Sequence, residues 1–159
     1  MRVRLMTNSL AATDERMVHL GYRQYRVDVL RAGAELFEWS PAQGGRVLRE
    51  IVAGGSVLRL HAKCAVVDRR HVYLGSMNFD PRSRDWNTEF GLLIDSPALA
   101  EQVLALIDDV LLRAAYRVRL AEDGKSLRWS LVNGDGTEHD FEPEPDLGSR
   151  FLLDLLAPF

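Results

Sequence analysis

Residues 57–67 and 71–75 are two apolar, strand-forming runs separated only by Asp68-Arg69-Arg70. A gap that short between two such runs leaves room for a β-hairpin and little else. In a strand over 57–67, side-chain alternation puts His61 and Lys63 on one face and Ala62 and Cys64 on the other. An imidazole and an ammonium then point the same way. The return strand ends in Gly75-Ser76-Met77-Asn78, which adds a hydroxyl and a carboxamide nearby.

This set of side chains suits attack on a phosphodiester. A neutral imidazole can attack phosphorus, form a covalent phosphohistidine and leave again, which splits one difficult displacement into two easier ones. The stretch contains no carboxylate cluster for a metal ion, so no cofactor or metal is expected. Charge on the phosphoryl oxygens must then be balanced by protein donors, and Lys63, Ser76 and Asn78 are of the right kind. Counting in twos from His61 places Asp68 on the opposite face, as an orienting or structural carboxylate. Glu89, in a second strand-like run over 88–94, is the better candidate to hold the His61 tautomer, because a carboxylate on Nδ1 leaves Nε2 free to attack.

The spacing His61-x-Lys63-x4-Asp68-x6-Gly75-Ser76-x-Asn78 resembles the HKD signature of the phospholipase D superfamily at every position. Further along, Asn78-Phe79-Asp80-Pro81-Arg82-Ser83 and Asn87-Thr88-Glu89 resemble the bacterial cardiolipin synthase branch, whereas nuclease members usually lack the Asp-x-Arg-Ser. Residues 5–14 and 19–22 resemble that branch too, so the likeness runs from near Met1 to about Ala115.

The resemblance implies a fold, a reaction and a gap. The fold is an α/β sandwich around a mixed sheet, with one half-domain over residues 1–116 and a C-terminal β-hairpin and short helical appendage over 117–159. His61, Lys63, Asp68 and Glu89 are the implied catalytic set; Lys63, Ser76, Asn78 and Arg82 are the implied phosphate contacts. Arg82 could equally pair with Asp80 or Asp85. The implied reaction transfers a phosphatidyl group from a phospholipid to an alcohol. In the family two HKD motifs meet, one histidine attacking and the other protonating the leaving alcohol. His19, His71 and His139 carry no x-Lys partner, so this chain supplies one motif. The second must come from another copy or from an upstream half, and because the chain opens directly on a strand the expectation is a C-terminal portion of a two-motif protein. The rival readings are a homodimeric phosphodiesterase or nuclease and a non-catalytic remnant or interaction domain.

Charge separates these readings in part. The net charge is −3, yet residues 122–146 hold eight acids against Lys125 and Arg128, while residues 1–121 carry 17 Lys plus Arg against 14 Asp plus Glu. The motif-bearing part is thus mildly basic, without the strong basic stripe of a nucleic-acid binder. No apolar run reaches transmembrane length and no signal peptide opens the chain, which points to a cytoplasmic protein or one peripheral at the cytoplasmic side of the bacterial inner membrane. The single Cys64 excludes an internal disulfide and reads as a small apolar group packed on the sheet.

The remaining elements follow from pattern. Residues 2–6 read as a strand, Thr13 as an N-cap with Asp14 and Glu15 in the first turn, 16–31 as one helix ending at Gly33, and 34–39 as a strand. Residues 41–56, with Gly44, Gly45, Gly54 and Gly55, read as a loop; 80–85 as a bend; and 97–115 as a long helix opened by Pro97. A hairpin over 126–132 and 137–141 and a short apolar segment over 151–156 complete the chain. His19, among Val18, Tyr22 and Tyr25, reads as a buried structural histidine.

Overall fold

Arg4–Asn8 and Glu35–Trp39 form the parallel pair on which the larger of two sheets is built, in a computed structural model that describes residues 1–13, 16–51, 60–78 and 81–143. The chain divides into two compact units, Met1–Leu60 with Leu111–Phe159, and His61–Val110. Among the described residues the class is the expected mixed α/β one.

In the first unit, β1 (Arg4–Asn8) pairs with β2 (Glu35–Trp39), which pairs antiparallel with β6 (Ala115–Leu120), followed by β7 (Leu127–Leu131) and β8 (Glu138–His139). The sheet is therefore mixed, in the order β1-β2-β6-β7-β8. Leu36 and Val118 face each other across β2 and β6, and with Tyr116 and Trp129 they form a buried cluster under Tyr22 and Leu30. Removing side chains of this size from water contributes roughly 1.5–3 kcal/mol each. The boundary expected at residue 117 falls inside β6, and β7 continues the same sheet. No strand was expected over 116–120, and Ala115, expected to end a long helix, opens β6. Its alternating Ala-Tyr-Arg-Val-Arg-Leu instead buries Tyr116 and Val118, with Arg119 turned to solvent.

The helix expected over 16–31 is two helices, α1 (Arg16–Arg23) and α2 (Arg26–Arg31). The break has a local cause. Gln24 Nε2 donates to the Gly21 carbonyl at 3.0 Å, and the Tyr25 amide, which would donate to that carbonyl in a continuous helix, donates to Tyr22 O instead. Gly33 terminates α2 at φ +86°, as expected for a C-terminal glycine.

Residues 41–51 form a helix, α3 (Pro41–Ile51), where a loop was expected. Ser40 caps it: its Oγ accepts from Gln43 N at 3.1 Å and its carbonyl from Gly44 N at 2.8 Å, with Pro41 at the first helical position. Gly44 is there for a close approach, since a Cβ would lie 2.2 Å from the Trp39 indole. Gly54 and Gly55, Asp14 and Glu15, Asp80 and the apolar segment 151–156 lie outside the described residues.

The second unit is an antiparallel sheet of β3 (Lys63–Val67), β4 (His71–Gly75) and β5 (Gly91–Asp95), with α4 (Pro81–Asp85) and α5 (Pro97–Leu106). The expected hairpin is present. Asp68 and Arg69 both take positive φ, 51° and 53°, and Arg70 N closes the turn on Val67 O at 3.1 Å. α5 starts at the Ser96 cap, whose Oγ accepts from Leu99 N, and packs over buried Val72. It ends earlier than expected, giving way to a π turn at Ile107–Leu111 and a 3-10 turn at Leu112–Ala114. Cys64 is exposed rather than packed.

Candidate active site

His61 stands two residues before the start of β3, not within it, and Lys63 is the first residue of that strand. The two side chains nevertheless share a face. Lys63 Nζ lies 3.2 Å from each ring nitrogen of His61 and donates to the His61 carbonyl at 3.1 Å. An ammonium so close to the imidazole is available to any anion that approaches the ring.

The strand register supplies the neighbours. Lys63, Gly75 and Gly91 stand opposite one another across β3, β4 and β5. Ser76, one residue past Gly75, is held twice: its amide bonds Phe90 O at 2.9 Å, and its Oγ accepts from Phe90 N at 2.9 Å. The Ser76 hydroxyl donates to Glu89 Oε2 at 2.5 Å. Glu89 was expected at His61 Nδ1; it accepts from the Ser76 hydroxyl, while Lys63 Nζ stands at both ring nitrogens of His61. Asn78 is exposed, and its carboxamide has no partner among the described residues.

Two other expected residues lie elsewhere. Asp68 occupies the hairpin turn, at the opposite end of β3 from Lys63, where its short polar side chain tolerates the left-handed conformation. Arg82 sits on α4, exposed, and its side chain pairs with no described residue; Asp85, one of its two candidate partners, is taken by Arg84 at 2.8 Å. The structure thus joins His61 with Lys63 and Ser76 with Glu89, and it sets Asp68 apart.

The reading of the sequence passed over two residues. Tyr73, on the same face as Lys63 by alternation, lays its ring across Gly75 and Gly91: a Cβ on Gly75 would meet Tyr73 Oη at 2.3 Å, and one on Gly91 would meet the ring at 2.5 Å. A tyrosine two positions from a strand glycine was the available signal. Asn8, at the end of β1, uses its carboxamide as a piece of strand, donating to Leu60 O at 2.8 Å and accepting from Leu60 N at 3.0 Å. Leu60 immediately precedes His61. In Asn8→Ala the Leu60 amide should exchange with solvent roughly fivefold faster, the equivalent of one lost net hydrogen bond. Asn8→Asp keeps the acceptor and should keep the protection. Hydrogen exchange resolved at Leu60 reads this, and unchanged protection in Asn8→Ala would contradict it.

Comparison with known proteins gives a consistent result. Residues 1–111 match the family model described as "Cardiolipin synthase, PLD-like domain". The chain is 38% identical over 134 residues to Cardiolipin synthase C of Escherichia coli K12, covering 83% of this chain and 27% of that protein. It is 36% identical over 106 residues to uncharacterized proteins of two Helicobacter pylori strains, covering 66% of this chain and 20% of each. The chain therefore spans about a quarter of the curated relatives it matches, or less. No solved structure matches it. With the family model covering more than two thirds of its length and His61, Lys63, Ser76 and Asn78 in motif spacing, the chain belongs to the phospholipase D-like domain family of cardiolipin synthases.

Proposed function

We propose that this chain supplies one half of a phosphatidyl-transfer site, in which His61 Nε2 attacks the phosphorus of a phospholipid. The observation that carries this reading is the 3.2 Å approach of Lys63 Nζ to the His61 ring at the head of the three-stranded sheet. A phosphoryl group over that ring would meet the ammonium at once.

The roles follow from the side chains. Attack forms the His61 N–P bond and breaks the P–O bond to the first alcohol. The departing oxygen takes its proton from an acid on the opposite side of phosphorus. That acid is the histidine of a second HKD motif, from another copy of this chain or from an upstream half. It then takes the proton of the acceptor alcohol, whose oxygen displaces His61 and forms the new phosphodiester. Lys63 balances charge on the phosphoryl oxygens, and the exposed side chains of Asn78 and Arg82, which pair with no described residue, serve as further donors. Glu89 holds the His61 tautomer, while its bond with Ser76 keeps the carboxylate at the motif. Asp68 serves the hairpin turn.

The substrate class comes from the relatives and from the surface. Cardiolipin synthase C, by its name, makes a phospholipid. Beside the motif Trp86 and Phe90 are 85% and 67% exposed, the kind of side chains that sit at a membrane interface, which supports peripheral contact. No helix among the described residues is long and apolar enough to cross a membrane.

A test separates attack from protonation. A phosphatidyl ester of p-nitrophenol needs no acid, because p-nitrophenolate leaves without a proton. The folded chain should release one equivalent of p-nitrophenolate in a burst and carry an acid-labile adduct on the peptide containing His61. His61→Gln should show neither. An adduct on another residue, or none from a sample that binds the ester, would sink the proposal.

A further inference from the structure

We infer that the Tyr73 hydroxyl is an additional phosphodiester contact, donating a hydrogen bond to a non-bridging phosphoryl oxygen held at Lys63. This rests on the proposal that the motif binds a phosphodiester. Three features of the sheet carry it.

The first is facing. Pairing of Lys63 with Gly75 and of Ala65 with Tyr73 puts Lys63 and Tyr73 on one face of the sheet, in adjacent rows. The second is direction. Tyr73 does not stand upright in its own row but leans toward the row of Lys63, because Gly75 and Gly91 leave that floor empty of side chains. The virtual Cβ positions of these glycines lie 2.3 and 2.7 Å from Tyr73 Oη, so the hydroxyl rests above the two residues that oppose Lys63 across the sheet. Directly opposed Cβ positions in an antiparallel pair are about 4.5–5.5 Å apart. A phosphoryl oxygen bound by the ammonium therefore comes within hydrogen-bonding reach of the hydroxyl.

The third is vacancy of the donor. Tyr73 is half-buried, yet its hydroxyl bonds no described residue. The alternative explanation for the glycines, freedom of the backbone, is not needed at these two positions. Neither has positive φ, and the three atoms nearest a Cβ at Gly91 all belong to the Tyr73 side chain. A Cβ at Gly75 would meet the Phe90 carbonyl oxygen at 2.7 Å as well as Tyr73 Oη at 2.3 Å, so the first glycine of the Gly-Ser-x-Asn stretch admits both the tyrosine and the neighbouring backbone.

The probe is dihexanoyl phosphatidylglycerol below its micelle concentration, titrated calorimetrically into the full chain. Tyr73→Phe keeps the ring and its packing, so thermal unfolding should be unchanged while affinity falls about tenfold, the loss of one hydrogen bond to a charged acceptor. Lys63→Met should lower affinity as well. Gly91→Ala pushes the ring out of place and should cost affinity when the tyrosine is present but nothing more in the Tyr73→Phe background. A purely structural role for Tyr73 predicts the reverse: altered unfolding and unaltered binding.

The outcomes discriminate between the two layers of the argument. If Lys63→Met weakens binding and Tyr73→Phe binds like the unaltered chain, the motif site stands and this inference is overturned. If the unaltered chain binds no phosphodiester, or if Lys63→Met binds equally well, the phosphodiester reading of the motif fails, and the inference falls with it. If Gly91→Ala and Tyr73→Phe weaken binding additively, the hydroxyl is not what the glycines position, and the inference is again overturned.

Discussion

Arg26→Ala should destabilise the first unit by about 3–5 kcal/mol, the cost of leaving buried carboxylates without their counter-ion. Arg26 is 2% exposed, and its Nη2 lies 2.8 Å from Glu38 Oε1 and in contact with Glu142 Oε1. Its guanidinium packs 4.7 Å from the Tyr22 ring and 5.6 Å from that of Trp129. Burial opposes the charge, but Glu38 and Glu142 more than offset it and hold the guanidinium pKa above its ordinary value. The Tyr22 phenol is held well above its ordinary value in turn, by burial and by Glu38.

Glu38, fully buried, has one oxygen bonded by Tyr22 Oη at 2.8 Å and the other by Trp129 Nε1 at 2.9 Å. These neutral donors remain in Arg26→Ala, yet they cannot neutralise two carboxylates. Urea titration read at Trp129 fluorescence measures the loss. A change below about 1 kcal/mol would mean that the arginine is dispensable and that the carboxylates take up protons at little cost.

The same cluster shows where a single sequence runs out. His19 was legible as a buried structural histidine from Val18, Tyr22 and Tyr25 around it, and it is 3% exposed, although Val18 and Tyr25 themselves face solvent at 50% and 59%. Its partner Glu142, 2.7 Å from Nε2, is 123 residues away, and no local pattern joins them. Asn8 and Leu60, 52 residues apart, pose the same difficulty. The hairpin from Lys63 to Gly75 was legible to within a few residues, since only a tight turn spans Asp68-Arg69-Arg70. At Ser40-Pro41 the local cue for a helix start was present, but the glycine pair behind it suggested a loop. The Trp39 ring explains that glycine, and only packing reveals it.

At the site, alternation brought His61 and Lys63 together although His61 precedes the strand. That result depends only on two adjacent peptide units. The pairing of Glu89 with Ser76 depends on the β4–β5 register, which no spacing within either strand determines. β6 was missed for a related reason: Leu111 to Ala115 continues the apolar content of the preceding helix, and the alternation that marks a strand begins only at Ala115.

Acid should weaken the first unit through Glu142. This carboxyl is 9% exposed, and burial alone would raise its pKa; the hydrogen bond from His19 and the charge of Arg26 outweigh burial and lower it from 4.5 to about 2. A carboxyl with a depressed folded-state pKa binds its proton more readily when unfolded. Its stabilising contribution is therefore fully present above pH 4.5 and is lost as the pH falls toward 2. A shift of that size corresponds to about 3 kcal/mol. Exposed Asp123, also held near 2 by Ser126 and the Lys125 amide, titrates in the same window, so the pH dependence of the unaltered chain alone does not isolate Glu142. The difference between the chain and Glu142→Gln does. Glutamine keeps the shape and one acceptor but cannot titrate, so the stability gap between the two should be largest near neutral pH and shrink steadily from pH 4.5 to pH 2. Thermal unfolding across that range measures it. A gap that stays constant with pH would show that Glu142 contributes shape and hydrogen bonding alone, and that the buried arginine is balanced by Glu38 without it.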